Sequence, residues 1–600
     1  MLIPADTAPA RPRTGTPDGA DTAEGAVRER ITALERFLGD PADDTNPFGR
    51  RALLDADARG EPLPAADAVP AGFGLGAEVV PAALGGRLER TDGLVRVLRA
   101  LFRRSASLGV GHGVGPLLAA LPVWASGTAR QRRWTADLLL GGGTLAVAPR
   151  EPDHGDRFAH GGFTAVPGRD GLLLDGRGPA VVGAARAGGL VVHARTFGGD
   201  GARGHGVLLL DTASLPADRF TVRPRHRAAG LRSCGVAGVE ARACPVPSGA
   251  LVGSAGEGAA LAVRSNLFAQ ASVPGMVLGG GDTALRTAVW HAVGRAPGGD
   301  AAALSPQQRT VLARVFANLL VCDCLTLVAG RALHLLPARA ALPAAVTGYV
   351  VPRLLRDSAY DLSTVLGARF HCDEGAYGVF RGYLRDLPLT GAGHVGGTAS
   401  QSALVPQLPQ AARRPWSRAD APPWDLFAVG GGLPALDVGR AVPRAGADPS
   451  AAALVSVARL LGAADGHRGG SRTGLLLREL VQGLAGELER LRARLRAVPG
   501  GGTTVLADPR VQALADRYAL VSAGGACLGV WYRQRDAPGS FLAEPAWLVE
   551  ALVGLAHRLG LPLPGRGVPT AEPVVREVLD RYHSARSYDL YGDRLYADGL

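Results

Sequence analysis

The residues able to do chemistry in this chain sit in a few short phrases. "TGAGHVGGTASQ" (390–401) carries one imidazole, His394, among four glycines and no carboxylate. An imidazole with an ordinary pKa near 6.5 can accept a proton at neutral pH, so His394 is a candidate base. Glu374 in "HCDEG" is a second candidate, and for each a structural role is the alternative. "REPDHGDR" (150–157) sets Arg150 beside Glu151, with Gly155 and Asp156 following. The Arg150 guanidinium could meet a phosphate or a carboxylated substrate, or pair with Asp156. In "RAPGG", Arg295 precedes Gly299, and the fork of a guanidinium suits bidentate pairing with phosphate. A solvated arginine at a helix end is the competing reading. The six cysteines are scattered, which points neither to a disulfide framework nor to a metal site. Cys322 and Cys324 stand two apart in a helical stretch, face different ways and read as buried thiols.

Charge narrows the partners. The formal net charge is +11, yet every basic residue is arginine, as in a GC-rich, actinobacterial-type genome, and the arginines are spread rather than clustered. Aromatics make up 5% of the chain, so both the basic stripe and the stacking platform of a nucleic-acid binder are missing. An anionic small molecule such as a CoA or carrier-protein thioester fits a mildly positive surface. No run of about twenty apolar residues appears, and the first residues lack the apolar core of a signal peptide. No membrane span and a cytoplasmic location are therefore expected.

The elements that must position these residues change texture in order. A Pro/Asp/Thr-rich tail (1–24) is expected to be disordered, and helical patterns occupy 25–143. From 144 to 258, short apolar runs such as "GLLLDGR", "GLVVHART" and "GVLLLD", parted by Gly, Pro and Asp, predict a small, mostly antiparallel sheet. Residues 259–410 read as a helical bundle, apolar on more than one face. A Pro/Gly-rich linker (411–449) leads to a second helical domain (450–600). Its clearest helix carries Leu477, Leu480, Leu484, Leu488, Leu491 and Leu495 at three- and four-residue spacings, with Glu487 and Arg490 on the polar side.

This order, and several phrases, resemble the acyl-CoA dehydrogenase flavoproteins of the long-chain type. "GLRSCGVAGVEARACPVPSGALVGSAGEG" (230–258) is similar to the family's exit from the β domain. "GDTALRTAVWHAVGR" is similar to a helix of its bundle, and "VLGARF" with "GVFRGYLRDLPL" to the segment closing on the flavin diphosphate. The resemblance implies an α+β, mainly α fold: an N-terminal helical domain, a small middle β domain, a four-helix bundle and an additional C-terminal helical domain. It also implies FAD, an acyl-CoA or acyl-carrier-protein thioester as substrate, an electron acceptor it does not specify, and a homodimer whose flavin sites are shared between subunits.

That chemistry removes a proton beside a thioester carbonyl while a hydride leaves the neighbouring carbon, so it needs a carboxylate, a flavin and donors to the thioester oxygen. By the resemblance, Arg295, Gly299 and Gln307 would hold the diphosphate of a partner subunit's flavin, with Gly367 in the diphosphate loop. Glu151 and Gly155 match a flavin-contacting signature whose hydroxyl positions here are Arg150 and Asp156. The strand that commonly carries Lys-Trp-Ile-Thr-Asn against the ring reads "GPAVVGAA" (178–185), with Pro179 at the tryptophan position. The usual base position falls on Gly396, and the alternative on the earlier helix offers Ala269 and Gln270. The sequence thus leaves three readings: a dehydrogenase with a displaced base, a flavoprotein with altered chemistry, and a redox-inactive scaffold.

Overall fold

The computed structural model describes residues 17–148, 162–196, 204–225, 228–295, 304–390, 397–413, 422–442, 446–463, 471–498, 505–506, 508–537, 539–563 and 570–595. Helices α1 (Pro17–Leu38), α2 (Arg50–Arg59) and α3 (Thr91–Arg104) lead into α4 (Ala106–Leu108), a π-helical turn (Gly109–Val114) and α5 (Gly115–Ser126). Then comes α6 (Ala129–Leu140), started by a capping box in which Thr128 and Gln131 satisfy each other's backbone N–H. Helix α1 begins inside the stretch expected to be a disordered tail, because Glu24 accepts two hydrogen bonds from the buried Arg96, at 2.8 and 3.0 Å.

The sheet follows: β1 (Leu145–Ala148), β2 (Phe163–Pro167), β3 (Leu172–Val182), β4 (Gly189–Thr196), β5 (His205–Asp211), β6 (Phe220–Arg225), β7 (Val236–Val246) and β8 (Leu251–Val252). The strands run in the order β6-β7-β3-β2-β4-β5-β8, with β1 beside β4. Pairing is antiparallel except β1 with β4 and β2 with β4, and Leu174, Val181, Leu190, Val192 and Val239 fill the sheet's own core.

The main bundle comprises α7 (Gly258–Arg295), α8 (Pro306–Leu335), α9 (Ala341–Leu366) and α10 (Gly375–Asp386). Neighbours run antiparallel. Asn318 on α8 donates to Ser358 on α9 at 3.1 Å, while Thr347, early in α9, donates to the carbonyl of Leu325, late in α8. Three successive glycines interrupt α7 at 279–281, a costly choice in a helix interior. They admit close neighbours: a Cβ on Gly279 would fall 2.3 Å from the Arg99 carbonyl oxygen, and one on Gly280 2.2 Å from the Tyr383 ring.

Short helices α11 (Gly397–Leu404) and α12 (Leu408–Arg413) lead to the second helical unit of α13 (Pro449–Ala463), α14 (Arg472–Arg496), α15 (Pro509–Gln534), α16 (Pro545–Arg558) and α17 (Ala571–His583). The six leucines of the α14 stripe, Leu477 to Leu495, are all buried, as the spacing predicts, while Leu475 off the stripe is exposed. Glu487 corrects the sequence reading: it lies buried between α14 and α15, where Arg490 and Arg517 donate to it at 2.8 and 2.6 Å. Between the units, residues 422–442 pack against the bundle. Arg331 donates to the carbonyls of Asp425 and Gly430, and Leu426 and Phe427 are buried.

After α17 the chain returns to the first unit. Asp593 accepts a bidentate pair from Arg96, while Asp589 and Asp323 both accept from Arg99. The amides of Tyr588 and Leu590 donate to Asp282 and Asp323. These buried charges are paired and further hydrogen-bonded, the condition under which burial is tolerated. Two helical stretches, Ala106–Ser126 and Pro306–Leu335, are long and apolar enough to cross a membrane, but 89% and 94% of their apolar windows are buried inside the protein, as core helices are.

Candidate functional site

The position on the earlier helix from which the resemblance would draw a base is described, and it packs against α11. Gln270 on α7 donates to the Ser400 hydroxyl on α11 at 3.4 Å, and both side chains are buried. Gly348 on α9 closes the third side: a Cβ there would lie 2.7 Å from Ser400 Oγ and 3.1 Å from Gln270 Cγ. Ala269, the other residue considered, is fully buried. The described groups at this point are therefore an amide and a hydroxyl. They can hydrogen-bond a carbonyl, but neither takes up a proton at neutral pH.

His394 and Gly396 lie outside the described residues, as do Arg150, Glu151, Gly155 and Gly299. Glu374 is described and stands elsewhere. It is the exposed N-cap of α10, separated by that helix, about 18 Å long, from the segment leading to α11.

The C-terminal end of α10 is held firmly. Arg385 donates to both oxygens of Asp57 at 2.6 and 2.7 Å and to both oxygens of Asp386 at 2.7 and 2.9 Å. Asp386 in turn accepts from the amide of Leu231 at 2.9 Å. The phrase "GLRS" of the sheet exit is thereby docked onto "RD" of the bundle. Gly230 permits the approach, because a Cβ there would sit 2.5 Å from Leu389 Cδ1 and 2.8 Å from Asp386 Oδ1.

The sheet segment that the resemblance would set against a flavin is nearly bare of side-chain chemistry. Pro179 to Ala185, at the end of β3 and the turn after it, contains no side chain able to hydrogen-bond, so only backbone groups are on offer. Arg186 follows and donates to the Gly111 carbonyl at 2.7 Å. Within the π-helical turn, His112 is buried, and its Nδ1 has no partner among the described residues. Burial, with the charge of Arg186 adding, pushes its pKa down to about 3, so the imidazole is neutral and a weak base. Burial also pushes the neighbouring Cys234 thiol up to about 12, against the pull of Arg186, so it is no nucleophile at neutral pH. His112 escaped the sequence reading because "GVGHGV" has no chemical spacing; its position depends on packing between helix and sheet.

At the other end of α7 lie the residues that the resemblance assigns to phosphate. Arg295 ends α7, Gln307 lies in the first turn of α8, and Gly367 caps α9 with a positive φ of 55°. The antiparallel run of the helices brings all three to one end, where each is exposed. A Ser305–Gln308 capping box fixes the start of α8. His291 marks the charge of this end: burial lowers its pKa first, then Arg295 and Arg369 lower it further. His291 is held by the Tyr377 hydroxyl at 2.8 Å. Two exposed guanidiniums suit a phosphate group.

No protein-family model matches the sequence, and no curated protein matches it significantly. Solved structures do. An acyl-CoA dehydrogenase complexed with FAD from Bacillus anthracis superposes with a TM-score of 0.63 at 13% identity, covering 94% of this chain and 95% of its own. Butyryl-CoA dehydrogenase from Megasphaera elsdenii gives a TM-score of 0.56 at 16% identity over 64% of this chain and 97% of its own. PigA, solved with FAD and proline, gives 0.55 at 18% over 66% and 99%. The chain therefore has the acyl-CoA dehydrogenase fold, and the first comparison extends the likeness through the C-terminal helical unit.

Proposed function

We propose that the protein binds FAD and an acyl thioester, carried by CoA or a carrier protein, and oxidises the Cα–Cβ bond of a specialised substrate without the usual carboxylate base. The observation that carries the FAD half is the gathering of Arg295, Gln307 and Gly367 at one exposed, positive end of the bundle. These residues fit a diphosphate: a guanidinium fork, a side-chain amide and a backbone free of Cβ. Because they point outward from the bundle end, a homodimer in which each subunit grips the other's cofactor is the arrangement they suit. The stretch Pro179–Ala185 fits a flavin ring only through backbone donors and apolar contact.

Bound FAD would supply the hydride acceptor. The chain's own part would be to orient the thioester, for which the Gln270 amide and Ser400 hydroxyl, buried against each other, are the neutral polar groups on offer. Neither relieves the need for a proton acceptor. Missing a general base costs about 10²- to 10⁴-fold in rate, so the substrate this site suits has an α-C–H acidified by its own structure, or uses His394.

A second reading, a redox-inactive scaffold of the same fold, is favoured by the Gln270–Ser400 pair and the bare sheet strand taken together. Absorption spectra separate the two. Purified protein, or protein reconstituted with FAD, should be yellow with a flavin band, and acyl-CoA thioesters should bleach it anaerobically. A colourless protein that takes up no FAD contradicts the flavoprotein; a yellow one that no acyl chain bleaches contradicts the dehydrogenase.

A further inference from the structure

We propose that a cavity distant from the Gln270–Ser400 pair binds a small organic carboxylate. The cavity has a volume of about 210 Å³ and lies between the α1–α2 connection, α3, the second half of α7, the first half of α10 and the segment after α17. It meets α7 at Asp282–Thr287, more than three helical turns beyond Gln270.

Its wall carries buried polar atoms that the protein leaves unsatisfied. Arg104 is 5% exposed. Its Nη2 donates to the Gly39 carbonyl at 2.5 Å, and the nearest carboxylate oxygen, Glu35 Oε2, is 3.6 Å away. Glu35 is already engaged, since its other oxygen accepts from Arg103 at 2.6 Å. Arg104 Nη1 has no partner among the described residues. On α7, Arg286 gives its Nη2 to the Arg586 carbonyl at 2.6 Å, but its Nε and the Asp282 Oδ1 that faces it, 3.8 Å away, are also unpartnered.

Among the described residues, two open guanidinium donors and one open acceptor line the cavity, a set that suits an anion. Burial lowers the Arg104 pKa in spite of Glu35, and Arg103 adds to the effect, so this guanidinium lacks a full counter-charge. Leu53, Val379 and Leu595 supply an apolar wall opposite the charge, which a hydrated inorganic ion would not use. The volume is below the roughly 300–1,000 Å³ of drug-sized pockets, which sets the ligand at a short acyl or aryl acid. An anion there would complete the hydrogen bonding of groups whose isolation is costly.

Calorimetric titration of the full chain with hexanoate, hexanamide and inorganic phosphate tests this. Hexanoate is expected to bind with hexanamide at least tenfold weaker and phosphate not bound at this site. Arg104→Met should weaken hexanoate at least tenfold, and Val379→Phe, which fills the cavity and leaves every arginine in place, should do the same. Should Arg104→Met not fold, Val379→Phe decides. Equal binding of acid and amide, binding of phosphate in place of hexanoate, no hexanoate binding, or hexanoate binding that survives Val379→Phe would each overturn the proposal.

Discussion

The two ends of α7 have opposite characters. At its C-terminal end, Arg295 joins Arg369, Gln307 and Gly367 in an exposed, positive cluster suited to phosphate. Toward its N-terminal half, Ala269 and Gln270 face α11 with an amide against a hydroxyl, sealed from solvent and without charge. One helix thus presents positive charge at one end and, among the described residues, an uncharged amide and hydroxyl pair toward the other. Anchoring and reaction are separable properties of this fold, and a chain can carry one without the usual form of the other.

The largest expected effect comes from supplying the missing group. In flavin-loaded protein, Gly396→Glu should raise the rate of anaerobic flavin bleaching by acyl-CoA about 10²- to 10⁴-fold, the range a positioned general base is worth. Gln270→Glu tests the same deficit from the α7 side and should raise bleaching by a factor nearer the lower end of that range, because the new carboxylate is buried beside Ser400 and harder to ionise. No gain from either variant would mean that the two ends of the helix differ in more than a base.

At the other end, Arg295→Ala should weaken FAD binding about 10- to 100-fold, the worth of one charge-assisted hydrogen bond of about 1.5–3 kcal/mol. The exposed position leaves the apo melting temperature unchanged. Equilibrium dialysis beside a thermal scan reads both. A separate effect, on stability rather than binding, concerns the sheet side. His112, with its pKa held near 3, stays neutral in the folded chain while the unfolded chain takes up a proton below about pH 6.5. Stability is therefore lost as pH falls from about 6.5 toward 3, by up to about 1.4 kcal/mol per pH unit. His112→Leu removes that share, so its urea midpoint should gain on the wild type as pH falls. Parallel pH profiles would contradict the buried, neutral imidazole.

Much of the fold was legible in the sequence, because periodicity and turn residues are local. The short apolar runs of "GLLLDGR" and "GLVVHART" and the leucine spacing of 477–495 map directly onto β3, β4 and α14. Arg295, Gln307 and Gly367 were singled out by the resemblance alone, and the antiparallel helices put them at one end of the bundle. What was not legible depended on distance along the chain. Glu487 reads as surface on its own helix, and only the Arg517 guanidinium from α15 explains its burial. The Gln270–Ser400 contact spans 130 residues, and the partner of Arg385 is Asp57, 328 residues away. The return of Asp589 and Asp593 to Arg99 and Arg96 likewise has no local signal.

The central claim, that the chain anchors FAD while lacking the usual base, meets its most direct test in one anaerobic titration. FAD is added to the purified full-length protein, its absorption band is followed, and acyl-CoA is then supplied to the wild type and to Gly396→Glu. The account predicts stoichiometric flavin in both, slow bleaching in the wild type and fast bleaching in the variant. Protein that remains colourless, or a wild type that bleaches as fast as the variant, would contradict it.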